Sequence, residues 1–229
     1  MIRRTLVPLA LGATLTTLLL AGPAGATAPH ALRGTFKLSA GSCADGGVTG
    51  SWFRMVYPGG TVANGKFFAN PDSQCTANTT YTLVVPGTQG GLVTGSYQSD
   101  PSPAFNSQGG ALADNIIEPQ SFTGIDFSVA TDKVDPQTNE QVPAPSIKQS
   151  GANLTGQVTA WSAAWNKLYF NQGSPKPGGS YPGLTQKVSG TYNSKTHAFV
   201  LTWASAVVGG PFNGFTGVWH LAGTFVAKR

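Results

Sequence analysis

The apolar residues of this chain come in short runs of roughly four to eight, and nearly every run is closed by glycine, proline or an Asn- or Asp-bearing turn. With 30 Gly and 16 Pro in 229 residues, little room is left for an uninterrupted helix of ordinary length. Inside the runs the pattern has period two. Over 217–226, Trp219, Leu221 and Phe225 share one face, while His220 and Thr224 share the other with Val218 and Val226. Over 197–203, His197, Phe199, Leu201 and Trp203 oppose Ala198, Val200 and Thr202. Half-buried antiparallel strands read this way. Strands are expected at 34–39, 47–57, 80–85, 92–98, 121–131, 146–148, 153–161, 168–170, 186–192, 197–206 and 217–227. The pattern predicts an all-β fold: a single antiparallel β-sandwich or open flattened barrel.

Local signals refine this. Asp135-Pro136-Gln137-Thr138-Asn139 reads as a chain reversal, with proline fixing φ and Asn139 tolerating the left-handed region. Residues 193–196 should close a hairpin between 186–192 and 197–203. The long Pro/Ser/Gly-rich connection 99–118 holds room for a short helix at 111–117. Four words share a form of apolar, hydroxyl, glycine, variable, aromatic, at 48–52, 93–97, 188–192 and 215–219. Their irregular spacing argues against a solenoid or propeller. Their glycines suit a bend, a bulge or a site where an aromatic crosses over the bare backbone.

The first 26 residues read as an export signal. Arg3 and Arg4 precede an apolar run over 6–20, and Ala24-Gly25-Ala26 offers a small-x-small cleavage site, with Ala26-Thr27-Ala28 as a second. The Arg3-Arg4 pair leaves the general and twin-arginine routes both open. The remaining 27–229 is then one secreted β domain, and no second apolar run is long enough for a membrane span. Without Arg3 and Arg4 the formal charge of +5 falls to +3. The remaining cations are scattered, which gives nucleic-acid binding no footprint. Cys43 and Cys75 are 32 positions apart and, in an exported chain, predict one disulfide. On the chain-entropy account, closing that loop stabilises by about 3–4 kcal/mol.

The usual signatures of chemistry are missing. There is no G-x-S-x-G, no H-E-x-x-H, no phosphate loop and no dinucleotide fingerprint, and no cofactor is expected. His197 and His220 read as solvent-face strand residues and His30 as a terminal one, so no metal site is assigned. Asp132, Asp135, Asn139 and Glu140 gather oxygen ligands, but their spacing is not that of an EF-hand loop. The surplus lies in aromatics and amides. Trp161, Trp165 and Tyr169 share strand parity and also sit at helical i, i+4, i+8 spacing. The reading adopted is strand, a bulge near Asn166, then strand. On a surface they would form a platform for a sugar, with Asn166, Asn171 and Gln172 taking its hydroxyls. Phe212 and Phe215 would form a second wall with Asn213. The competing reading puts Trp161 and one of the other two in the core.

The words PQSFTGIDFSVAT, DPQTNEQVPAPSI, WNKLYFNQGSPKP and GGPFNGFTG, within 119–225, resemble an uncharacterised family of small secreted microbial proteins. That resemblance spans about half the chain. It implies secretion and an all-β fold, and brings no activity or functional residue with it. The T-G-S-[WY] words also resemble, over four residues only, those of avidin-type ligand-binding barrels. The leading expectation is a secreted, non-enzymatic binding or surface-interaction protein, with an extracellular polysaccharide or a surface partner as its target. The alternatives are a hydrolase whose site uses Glu118 and Asp126, and a structural extracellular protein without a ligand.

Overall fold

The computed structural model describes residues 28–44 and 47–228; the expected export segment, 1–26, lies outside them. The described chain is all-β and antiparallel, with strands β1 (His30–Leu32), β2 (Gly34–Leu38), β3 (Ser42–Ala44), β4 (Gly47–Thr49), β5 (Trp52–Val56), β6 (Thr82–Leu83), β7 (Gly91–Val93) and β8 (Gln120–Phe122). These are followed by β9 (Ile125–Thr131), β10 (Ser146–Ser150), β11 (Asn153–Gln157), β12 (Trp161–Trp165), β13 (Leu168–Asn171), β14 (Gln186–Tyr192), β15 (Ala198–Ala206) and β16 (Thr216–Ala227).

The larger sheet runs β1-β10-β11-β14-β15-β16 and then divides. The long strand β16 pairs with β5 through Thr216–His220 and with β2 through Gly223–Ala227. Two strands thus share one edge of β16, and the exchange falls at Ala222. There the Ser51 hydroxyl donates to Ala222 O and accepts from Ala222 N, both at 3.1 Å, beside the amide of Ser39, which donates to the same oxygen at 2.7 Å, so the ladder continues across the exchange. The division curls the sheet into a half-barrel, and the smaller sheet, β13-β12-β9-β8, closes its concave side. The main core lies between them. Phe36, Phe53, Trp203, Trp219, Leu221 and Phe225 face inward from the large sheet, and Phe122, Phe127, Val129, Trp161 and Ala163 from the small one.

Trp161 is fully buried. Its ring meets Trp203 and Trp219 edge-on, each at a centroid distance of 5.2 Å. This is the core role weighed for it, and a tryptophan there contributes more apolar area than any other side chain.

The disulfide Cys43–Cys75 is present, with Cα atoms 5.4 Å apart, and fastens the β3–β4 hairpin to the loop before β6. The reversal at Asp135 and the hairpin at 193–196 form as expected. Asp135 Oδ1 accepts from the Gln137 and Thr138 amides, and Asn193 Oδ1 from those of Lys195 and Thr196. The strands around the first reversal part company, however: β9 belongs to the small sheet and β10 to the large one.

Several expected strands divide. Residues 47–57 break at Gly50–Ser51 into β4 and β5, and 153–161 ends at Gln157 before a turn leads into β12. Residues 121–131 are not one strand but the β8–β9 hairpin, closed by Thr123 and Gly124 at φ 51 and 80. No helix forms at 111–117; the segment is irregular, with isolated bridges at Ala111 and Ile117 and bends at Asn115 and Ile116.

The stretch from Trp161 to Tyr169 is neither a helix nor a bulged strand. It is a tight hairpin, with Trp165 opposite Leu168. Asn166 and Lys167 form its turn, both left-handed at φ 50 and 59, the geometry of a type I′ reversal. The turn changes which residues share a face. Trp161, Ala163, Trp165 and Phe170 point to the core side, while Tyr169 pairs with Ala164 on the outer face. The connection 99–118 reaches this hairpin and β9 at three points. Phe105 meets the Tyr169 ring at 5.2 Å, Gly109 O accepts from Lys167 N, and Ala111 N donates to Asp126 O.

Candidate functional site: an aromatic cleft between the sheets

One end of the core stays open. Phe53 and Met55 of β5, Trp219 of β16, Phe122, Phe127, Ala163, Trp165 and Phe170 of the small sheet, and Gln172, Val207 and Phe212 from adjoining loops surround a cleft of about 40 Å³. At roughly 10–15 Å³ per water, the enclosed part has room for about three water-sized groups. Its floor residues are buried, and Trp165 and Phe212 at the mouth are half-buried. These two rings stand 5.3 Å apart, and Trp165 is held in place by its Nε1 donating to Phe122 O at 2.8 Å.

Two residues of the wall carry a polar side-chain atom with no protein partner, Gln172 Oε1 and Trp219 Nε1, both lying behind an exposed lining that is wholly apolar. Gln172 is 2% exposed and Trp219 0%. A buried polar atom left unpaired costs about 1–3 kcal/mol, so natural cores keep few of them. The amide orientation of Gln172 is set by its own nitrogen, which donates to Asn171 O at 3.2 Å and leaves the oxygen facing the large sheet. Gly217 makes this possible. A Cβ at that position would stand 2.0 Å from Gln172 Oε1 and 3.0 Å from the Phe53 ring. The bare backbone of β16 is therefore what lets an amide from the loop after β13 reach the large sheet. The glycine of the fourth recurring word thus makes room for side chains over bare backbone, nearest of all the Gln172 amide and next the edge of the Phe53 ring. Trp161 Nε1 is also without a partner but does not line the cleft.

The residues singled out in sequence are dispersed. Trp165, Gln172 and Phe212 meet at the cleft. Phe215 packs 5.7 Å from Phe212, outside the lining. Asn213 is exposed and caps its own loop, accepting from Gly209 N at 2.8 Å. Asn166 is spent in the hairpin turn. Asn171 is buried on the outer face of β13, donating to Asp135 Oδ2 at 2.5 Å and Thr159 O at 2.8 Å. Tyr169 lies on that same outer face, where burial and the nearby Asp100 and Asp132 push its phenol up. Trp161, Trp165 and Tyr169 therefore do not form one platform. Glu118 and Asp126 are exposed and away from the cleft lining. Among the described residues no group of three His, Cys, Asp or Glu side chains is placed to hold a metal ion.

Phe53, Phe122, Phe127, Phe170 and Trp219 are the lining aromatics that were not anticipated. The alternation of β16 had already placed Trp219 on an inward face. What it could not supply was its neighbours, which arrive from four separate segments.

Comparison with protein-family models, with curated proteins and with solved structures finds no match, so the reading of the site rests on its own chemistry.

Proposed function

We propose that this chain is a secreted, non-enzymatic binding protein whose ligand is a slender apolar molecule ending in a hydroxyl. The observation that carries the reading is the pair of unpartnered polar atoms directly behind an apolar, mostly aromatic lining, one an acceptor and one a donor. A hydroxyl both donates and accepts, so one that parts the apolar lining and reaches both atoms would satisfy Gln172 Oε1 and Trp219 Nε1 together. The carbon chain behind it would leave past Trp165 and Phe212, the half-buried rings at the mouth, each buried CH₂ contributing about 0.8 kcal/mol. Secretion is supported by the N-terminal segment of the sequence and by the disulfide, which belongs to oxidising compartments. A sugar is less well served, since its ring carries several hydroxyls and the exposed lining of the cleft is apolar.

Calorimetric titration with 1-hexanol tests this. Saturable binding is expected. The methyl ether of the same chain, which accepts but cannot donate, should bind about tenfold more weakly, the equivalent of about 1.4 kcal/mol. A soluble cello-oligosaccharide should not compete. Absence of saturable alcohol binding, or capture of the protein by glycan instead, would overturn the proposal.

A further inference from the structure

Lys176 is 6% exposed, in the loop that follows β13. Its ammonium makes one hydrogen bond among the described residues, from Nζ to the backbone carbonyl of Asn171. Three donors with one acceptor is a poor setting for a buried charge. Burial brings the lysine down to about 8, with Asp135 partly opposing the shift. The neutral amine, which is the nucleophile, is therefore within easy reach near neutral pH.

The residue that receives this hydrogen bond carries a side-chain amide that is itself held on every side. Asn171 Oδ1 accepts from Gly173 N at 3.0 Å. Asn171 Nδ2 donates to Asp135 Oδ2 at 2.5 Å and to Thr159 O at 2.8 Å. Asp135 is 1% exposed, and its other oxygen accepts from the Gln137 and Thr138 amides at 3.2 and 2.8 Å, so the carboxylate cannot turn away. The intervening loop is clamped too. Ser174 Oγ donates to Gln186 O at 2.6 Å, and Val158 N donates to Ser174 O at 2.9 Å. An amine, a carboxamide and a carboxylate are thus buried together and fixed, in a place where the cleft described above makes no use of them.

We propose that Lys176 and Asn171 join in an intramolecular amide bond, with Asp135 as the proton carrier. The neutral Nζ attacks Asn171 Cγ. The oxygen of the tetrahedral intermediate gathers negative charge on Oδ1, where the Gly173 N–H already points. Asp135 takes the proton released by Nζ and hands it to Nδ2, the atom it already contacts. The Cγ–Nδ2 bond then breaks and ammonia leaves. One C–N bond forms, one breaks, and no oxidant, metal or cofactor enters the balance. The product replaces a poorly solvated buried charge with a neutral amide and fixes the loop that carries Gln172. The inference does not depend on the binding reading.

Peptide mapping of the purified full chain decides it. Cleavage after Lys167 and Lys187 yields a peptide, 168–187, that contains both residues, since the bond after Lys176 precedes Pro177 and resists trypsin. The expected result is a peptide lighter by one ammonia that gives no fragment ions from backbone cleavage between Asn171 and Lys176. Under denaturing conditions Lys176 should also escape acylation. The variant Lys176→Met should keep the full mass. A peptide of unmodified mass with an acylable Lys176 overturns the proposal. So does loss of ammonia that persists in Lys176→Met, which marks a succinimide at Asn171 instead. Should Lys176→Met fail to fold, the fragment pattern and acylation of the wild-type peptide still separate these outcomes.

Discussion

Replacing Gln172 by leucine should make the unliganded protein more stable and a poorer binder. The side chain is buried, its oxygen has no protein partner, and its nitrogen makes one long bond of 3.2 Å to Asn171 O. Removing the unpaired acceptor returns about 1–3 kcal/mol, and losing the neutral hydrogen bond gives back about 0.5–1.5 kcal/mol. The backbone bonds at this position are untouched: Gln172 N still donates to Trp161 O at 2.8 Å, and Trp203 Nε1 to Gln172 O at 2.8 Å. Leucine nearly conserves volume and adds apolar surface against Phe53 and Phe170. The net expectation is a gain of about 1 kcal/mol. For a domain of this size that corresponds to a rise in melting temperature of about 2–4 °C. Urea unfolding should show a higher midpoint with an unchanged m value, and calorimetry about tenfold weaker binding of 1-hexanol. A loss of stability of 1 kcal/mol or more would refute the reasoning, because it would show that the amide serves the fold and is not held in reserve for a ligand.

Two further predictions follow from the packing and the charges. Trp161→Ala, which empties the contact with Trp203 and Trp219, should cost about 3–5 kcal/mol in urea unfolding; a loss under 1 kcal/mol would contradict the core placement. Burial, reinforced by Asp132, pushes the Asp100 carboxyl up to about 7. The folded state therefore holds a proton that the unfolded chain releases near pH 4, and the contribution of Asp100 to stability grows as pH falls from 8 to about 5. The melting temperature should rise over that interval, and Asp100→Asn should flatten the dependence; an unchanged slope in the variant would count against it.

Legibility in the sequence followed the range of the interactions. The strands β14, β15 and β16 and the turns at Asp135 and Asn193 rest on local signals, namely alternation and side-chain oxygens that bond to backbone amides two or three residues on. They were readable. The hairpin at Asn166–Lys167 was not, because a lysine in the left-handed region carries no turn signal of its own. The shared strand parity of Trp161, Trp165 and Tyr169 suggests one surface, whereas the turn sends Tyr169 to the opposite face. The division of β16 between β5 and β2 depends on Ser51 and Ala222, 171 positions apart, and no local pattern encodes it. The cleft was hidden for the same reason. Its unusual feature is a glutamine unopposed across a glycine, and each of those two residues looks ordinary until the sheets are stacked.

The central claim, that a ligand enters the aromatic cleft and reaches the unpartnered polar atoms behind its lining, is tested most directly by the indole N–H resonances. All five tryptophans lie among the described residues, and they sample different settings. Trp219 Nε1 has no partner, Trp203 Nε1 and Trp165 Nε1 donate to backbone carbonyls, and Trp52 stacks on His220 on the outer face of the large sheet. In a nitrogen-15 correlation titration with 1-hexanol, the Trp219 signal should move downfield and saturate as its proton acquires an acceptor. Trp165 should shift modestly through ring currents at the mouth, while Trp203 and Trp52 stay in place. A Trp219 resonance that does not move, with the largest change at Trp52, would put the ligand on the outer face and contradict the account.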